Sequence, residues 1–331
     1  MKINLKLLVF LETALIIILI FITAGYIHKE MPIQTSPQGK NSFGFLSPRV
    51  YAGLIQPKSF LIINFNPLQE KLKEYIRKKN ITASVYVLNL RDGASMGINE
   101  EDNFYPASLN KLPIAILIMK KIEDGELSMD TMIPINDSDR SSTWGTLYKT
   151  KEKALPVRVL LEKMLKESDN TAFLILQRQV DNEDLNIILN YLNYFDINPY
   201  VHRTENDDSI DTKSMANIFS SLYLSTVLER NDSEYILSLL TKSDFDINKI
   251  AKLPSDVRVA QKFGENYYGG NKFLHDCGIM YFNESRIFYC VMTKGLEENE
   301  ARETIGIFIN AIYNYVTRAR KTFDTYRAYK E

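Results

Sequence analysis

The sequence predicts an α+β fold: one antiparallel sheet made from N- and C-terminal segments and flanked by helices, with a helical lobe inserted between them. Two observations carry this prediction. Strand-like stretches rich in β-branched residues fall near Thr82–Ile98 and again after Val257, whereas Ser108 to about Leu240 has mostly helical periodicity. The strands do not alternate regularly with helices, as a parallel β-α-β sheet would require.

Taken in order, Leu68 to Lys79 reads as an amphipathic helix and Thr82 to Leu90 (TASVYVLNL) as a strand. Arg91-Asp92-Gly93 supplies a turn, and Ala94 to Ile98 the returning strand. Later strands are expected over Val257–Lys262, Phe273–Phe282 and Ile287–Thr293, followed by an amphipathic helix over about Glu300–Arg320. Active sites commonly form where two such lobes meet.

Ahead of this region, Leu5 to Tyr26 is almost continuously apolar, with Glu12 inside it and Lys2 and Lys6 at its N-terminal end. About 20 residues at 1.5 Å each span a hydrocarbon core of ~30 Å. The expectation is a single-pass anchor in the cell membrane with an extracytoplasmic domain. A cleaved signal, with Ile22-Thr23-Ala24 as its weak site, would instead give a secreted protein. The prolines, glycines and serines that follow suggest a linker or arm. The expected organisation is therefore 1–27 anchor or signal, 28–65 linker, and 66–331 the globular domain.

Composition excludes other classes. A net charge of −1 offers no electrostatic footprint for nucleic acid. Two cysteines and three histidines without ligand spacing argue against a metal centre, and nothing calls for a cofactor. With 45% hydrophobic residues the chain can bury a core, and we expect a monomer.

Three short motifs carry the chemistry. Ser108 and Lys111 sit at i and i+3, on one face of a helix and near its N-terminus, where backbone N–H groups favour developing negative charge. A desolvated lysine there can accept the serine proton. By itself the pair is a chance-level signal, expected roughly once in a chain of this composition. Ser168-Asp169-Asn170 ends the helical run VRVLLEKMLKE and would alone pass for a helix cap. Lys262-Phe263-Gly264 ends the strand VRVAQK.

In this order the three resemble the S-x-x-K, S-D-N and K-T-G signature of active-site serine penicillin-recognising enzymes, and class A β-lactamases in particular. The first two motifs lie 60 residues apart, as in that class. VYVLNLRDGASMGINEEDNFYPASLNKLPIAIL resembles the family's opening hairpin and nucleophile helix, and FLHDCGIMYFNESRIFYCVMTKG its closing strands. The resemblance implies a β-lactamase/transpeptidase-like fold and a serine hydrolase acting on a small-molecule β-lactam or a cell-wall peptide. Ser108 would be acylated, with Lys111 as proton acceptor. Ser168 would relay a proton to the leaving nitrogen, and Lys262 would position substrate and tune Ser168. Asn170 would bind a substrate amide, and the N–H groups of Ser108 and Glu265 would form the oxyanion hole.

The chain departs from that pattern in two places. No E-x-x-L-N motif occurs between Asp181 and Met215; Glu205 is either a replacement deacylation base or a solvated acid. Phe263 stands where the family has a hydroxyl residue that binds the β-lactam carboxylate, and Glu265 brings negative charge towards the same place. Losing that hydrogen bond costs ~1–3 kcal/mol. These changes keep alive an alternative, a penicillin-binding or DD-peptidase-like protein or a sensor module without efficient deacylation. Cys277 and Cys290 either form a disulfide across a hairpin or remain free core thiols. Trp144 either lines the cleft rim or packs within the helical lobe.

Overall fold

The computed structural model describes residues 43–47, 63–192 and 209–330, all within one compact unit, Phe43–Glu331. In chain order the elements are α1 (Asn66–Lys79), β1 (Thr82–Asn89), β2 (Ser95–Ile98), a 3-10 turn (Ala107–Asn110) and α2 (Lys111–Glu123). There follow β3 (Met132–Pro134), β4 (Ala154–Pro156), α3 (Val157–Lys166), α4 (Asn170–Gln177) and α5 (Asn182–Tyr191). The chain continues through α6 (Thr212–Leu224), α7 (Arg230–Leu240), α8 (Ile247–Ile250), β5 (Arg258–Tyr268), β6 (Asn271–Phe282), β7 (Ser285–Lys294) and α9 (Glu298–Lys330).

The five-stranded sheet has the order β2-β1-β7-β6-β5, and every neighbouring pair is antiparallel. Its central pair joins the two ends of the domain: Val85 of β1 faces Val291 of β7. The helical lobe is inserted between β2 and β5, as the periodicity predicts.

Each face of the sheet has its own core. On one side Cys277, Ile279, Phe288 and Met292 pack against the helical lobe. Here α2 is apolar nearly all round, from Leu112 to Met119, and is buried accordingly. On the other side Val85, Val87, Tyr289 and Val291 meet Leu68 and Leu72 of α1 and Ile305, Phe308, Ile309, Ile312 and Val316 of α9. The 3,4 spacing of that α9 set is the stripe of an amphipathic helix.

Two elements differ from the sequence expectation. β5 does not end at Lys262 but runs on to Tyr268, because the turn is made by Gly269 and Gly270, both at positive φ. The last helix continues past Arg320 to Lys330. The short β3–β4 ribbon inside the helical lobe had no readable pattern.

The membrane expectation is corrected. Among the described residues no helix is long and apolar enough to cross a membrane. The longest, α9, spends its apolar stripe on the sheet and carries charged residues at both ends. Residues 5–26, which motivated the single-pass extracytoplasmic reading, lie outside the described residues. Within the expected linker, Phe43–Ser47 is tied down: Gly44 and Phe45 donate backbone N–H groups to Glu234, and Ser47 donates to the Tyr223 carbonyl at 2.7 Å.

Cys277 and Cys290 are directly paired residues of β6 and β7 and are joined as a disulfide. Next to Cys277, Gly278 has no room for a side chain: a β-carbon would lie 2.6 Å from the Ala260 carbonyl oxygen. We therefore predict that Gly278→Ala lowers stability by ~1–3 kcal/mol. Urea unfolding measures this, and an unchanged midpoint would contradict the packing described.

Candidate functional site

The site lies where β5 passes the 3-10 turn and the α3–α4 junction. Ser108 is in that turn rather than in the α-helix, and Lys111 is the first residue of α2. The preceding Ala107 has φ 50°, a left-handed conformation that costs a non-glycine residue ~1–3 kcal/mol. Ser168 has φ 56° and joins α3 to α4, the location after a helix that usually favours glycine. Both strained residues are in the site or beside it.

Asp169 explains why the α3–α4 junction holds. Its carboxylate caps α4 by accepting the Ala172 N–H at 2.9 Å. It also accepts the Thr146 and Leu147 N–H groups at 2.7 and 2.8 Å, tying down the 141–147 loop. Gly145, at φ 92°, allows this approach, since a β-carbon there would overlap the carboxylate.

The structure brings together five of the residues read from the motifs. Lys111 Nζ is 2.9 Å from Ser108 Oγ, 2.6 Å from the Ser168 carbonyl oxygen and 2.6 Å from Asn170 Oδ1. Asn170 is oriented by its own amide donation to Thr143 Oγ1 at 2.7 Å. Lys262 Nζ donates to Ser168 Oγ at 2.8 Å and to the Phe263 carbonyl at 2.8 Å. Lys111 is 1% exposed and Lys262 0%.

Burial sets the protonation of both amines. Desolvation brings Lys111 down to about 7, against the pull of the Asp169 carboxylate. Lys262 is pushed well below its ordinary value, first by burial and then by Lys111, with Asp276 opposing. Asp276 is itself pushed up to about 8 by burial, although Tyr289 donates to it at 2.9 Å. Both members of the Lys262–Asp276 pair are thus driven towards neutrality.

Gly264 is the point of closest approach between β5 and the 3-10 turn that carries Ser108. A β-carbon there would sit 3.1 Å from Ser108 N and 3.1 Å from the Pro106 carbonyl oxygen. Its cross-strand partner His275 is fully buried and lies 2.8 Å from the Tyr105 carbonyl oxygen. Burial holds this imidazole down at about 4, so it is neutral and donates that bond through Nε2.

A cleft of about 590 Å³ opens over Ser108, lined among others by Tyr105, Lys111, Thr143, Trp144, Asn170, Phe263, Glu265 and Glu298. Glu265 lies 3.7 Å from the Arg302 guanidinium, which also pairs with Glu298 at 2.8 Å. Burial raises the Glu265 carboxyl, as does Glu298, and Arg302 opposes this. Trp144 is on the rim, its ring edge-on to Phe263 at 5.6 Å. Glu205 lies outside the described residues. Among the described residues no cluster of His, Cys, Asp and Glu is arranged to hold a metal ion.

Sequence reasoning placed Thr143 only within the DRSSTWGTLYK segment that either lines the cleft rim or packs in the lobe, and it missed His275 and Asp276. For the last two there was a usable signal: polar residues side by side in an otherwise apolar, buried strand, FLHDCGIMYF.

The fold recurs in solved structures. PBP-A superposes with a TM-score of 0.67 at 19% identity, covering 76% of this chain and 97% of that one. TLA-1 extended-spectrum β-lactamase gives 0.68 at 18%, covering 77% and 99%. A PBP-A variant described as an acyl-enzyme complex with penicillin G gives 0.65 at 20%, covering 76% and 98%. Identities this low show the fold alone: an antiparallel sheet with flanking helices and a helical lobe, β-lactamase/transpeptidase-like.

Family membership rests on the sequence match. Residues 67–316 match the model of the beta-lactamase enzyme family, and the chain belongs to that family. Curated relatives include β-lactamase VEB-1 of Pseudomonas aeruginosa, 22% identical over 209 residues, which are 59% of this chain and 70% of that protein. Extended-spectrum β-lactamase PER-1 of the same organism is 28% identical over 109 residues, 32% of this chain and 35% of PER-1.

The Asp276 shift has a stability consequence. In the folded state its proton is held up to about 8, whereas the unfolded carboxyl loses it near 3.8, so this contribution is full below the unfolded value and is lost as pH rises through about 8. Asp276→Asn, which stays neutral, should gain stability relative to the parent between about pH 5 and about pH 8. Urea midpoints at the two pH values test this; parallel pH dependence in both proteins would contradict it.

Proposed function

We propose that the protein is a serine hydrolase that forms an acyl-enzyme on Ser108 with a β-lactam, a cell-wall peptide or a related amide or ester. One observation carries the reading: the buried Lys111 amine, lowered to about 7, lies 2.9 Å from Ser108 Oγ. A neutral amine has two N–H donors and one lone pair. The Ser168 carbonyl and Asn170 Oδ1, both at 2.6 Å, take the two donors, which leaves the lone pair for the Ser108 hydroxyl.

The step then balances. Ser108 Oγ gives its proton to Lys111 Nζ as it bonds to the substrate carbonyl carbon. The carbon–nitrogen bond breaks, and the leaving nitrogen takes a proton from Ser168 Oγ, which Lys111 reprotonates across 3.2 Å. Lys262, donating to Ser168 Oγ, orients that hydroxyl. The N–H groups of Ser108 and Glu265, on the two segments that meet at Gly264, are the proposed oxyanion hole, worth ~3–4 kcal/mol per donor. Penicillin G in the PBP-A acyl-enzyme supports this substrate class.

A second reading, acylation without efficient release, is favoured by the acids of the cleft. Glu298 is paired with Arg302 at 2.8 Å, which leaves Glu265, 3.7 Å from the same guanidinium and without a hydrogen bond at Oε2, as the one carboxylate lining this cleft among the described residues that could activate water, and no E-x-x-L-N acid stands beside it.

Intact-mass analysis with a chromogenic cephalosporin and a fluorophosphonate probe tests both readings. Wild type should gain an adduct that Ser108→Ala does not. Turnover of the cephalosporin supports the hydrolase, and a stoichiometric long-lived adduct supports the second reading. No Ser108-dependent adduct with either probe would overturn both. The adduct-forming rate should rise with pH and level off above about 7, as Lys111 loses its proton. Lys111→Ala should lower that rate by roughly a hundred- to ten-thousand-fold.

A further inference from the structure

We propose that the protein has an aromatic leaving-group subsite beside Ser108, which takes an uncharged aromatic group where the resembled enzymes take a carboxylate. The inference rests on the acyl-enzyme reading for its reaction, but not for its binding. Phe263 is 3% exposed, and its ring stacks on Phe245 at 4.8 Å with an interplanar angle of 14°. The Trp144 ring stands edge-on to Phe263 at 5.6 Å and is 37% exposed, so Phe245 and Phe263 form the floor and Trp144 the open wall. The Trp144 indole N–H is already used, donating to the Glu167 carbonyl at 3.1 Å, which fixes the ring as a wall.

These aromatics bound a second cleft of about 710 Å³. It shares Trp144 and Phe263 with the cleft over Ser108, so a leaving group of a substrate held at Ser108 meets these two rings.

An anion is poorly served here. Lys262, the cation expected to meet a substrate carboxylate, is fully buried, donates to Ser168 and the Phe263 carbonyl, and lies under the Phe263 ring at 4.3 Å. Arg302 is committed to Glu298 and sits over the Phe245 ring at 4.8 Å. The second cleft also has Glu167, Asp244 and Asp246 in its lining against Lys249 and Arg302. A carboxylate would lose its water against apolar rings and meet more acid than base. A neutral ring would gain edge and face contacts instead.

Trp144 is the single tryptophan of the chain, so its fluorescence reports on this subsite directly. The test titrates full-length Ser108→Ala with 3-hydroxybenzamide and with 3-hydroxybenzoate, alike in shape and different in charge. The benzamide should change the Trp144 emission saturably, with the benzoate binding roughly ten-fold or more weakly. Adding Phe263→Thr should erase most of that preference. Equal or tighter benzoate binding, or no saturable change with either compound, would overturn the subsite. In parallel, the phenylacetylglycyl esters of the same two phenols are offered to the protein with Ser108 intact. If the benzamide preference holds in binding but neither ester acylates Ser108, the subsite stands and the hydrolase reading fails.

Discussion

Removal of the Lys111 amine from water is the constraint on which the rest of the site depends. A lysine on a helix surface stays charged and holds its proton. At 1% exposure, charge is costly, and the amine becomes a base of about 7. That environment is assembled from distant parts of the chain. α2 supplies the amine, the α3–α4 junction supplies the Ser168 carbonyl and Asn170, and β5 closes the back with Lys262. Such burial works against stability, because the unfolded chain keeps its lysine proton in a pH range where the folded chain gives it up.

The fold offsets that cost with two separate apolar cores on a single sheet. Joining β1 to β7 at the centre lets the ends of the domain hold the sheet while the inserted helices remain a lobe of their own. The groups of the candidate site then lie along the seam between lobe and sheet. Asp169, accepting three backbone N–H groups, fixes the lobe's side of that seam, and Gly264 lets the β5 side come close. The left-handed Ala107 and Ser168 are the local cost of turning the chain there.

Much of this was legible in the sequence because it is written in residue type and period. Ser108, Lys111, Ser168, Asn170 and Lys262 have no specificity singly, and it is their order that pointed to the candidate site. The sheet's end segments and the helical middle followed from periods of two and of 3.6 residues. What could not be read depends on three-dimensional neighbours. β5 continues through the polar stretch beyond Phe263 because β6 pairs with it as far as Tyr268 and Asn271. Trp144 belongs to the rim because Phe263, far away in sequence, supplies its partner ring. Asp276 looks like an error in an apolar strand until Tyr289 and Lys262 are seen beside it. The membrane reading of residues 5–26 rested on hydropathy and on the flanking Lys2 and Lys6, and no described helix supports it.

The central claim is that Lys111 is a neutral base at working pH, and its titration tests this directly. Heteronuclear NMR of protein labelled at the lysine ε-carbons, with the Lys111 signal assigned by its loss in Lys111→Met, follows that amine from about pH 5 to about pH 11. The account predicts a transition near about 7. A Lys111 signal that stays in its protonated form until about pH 10, where ordinary lysines titrate, would contradict it.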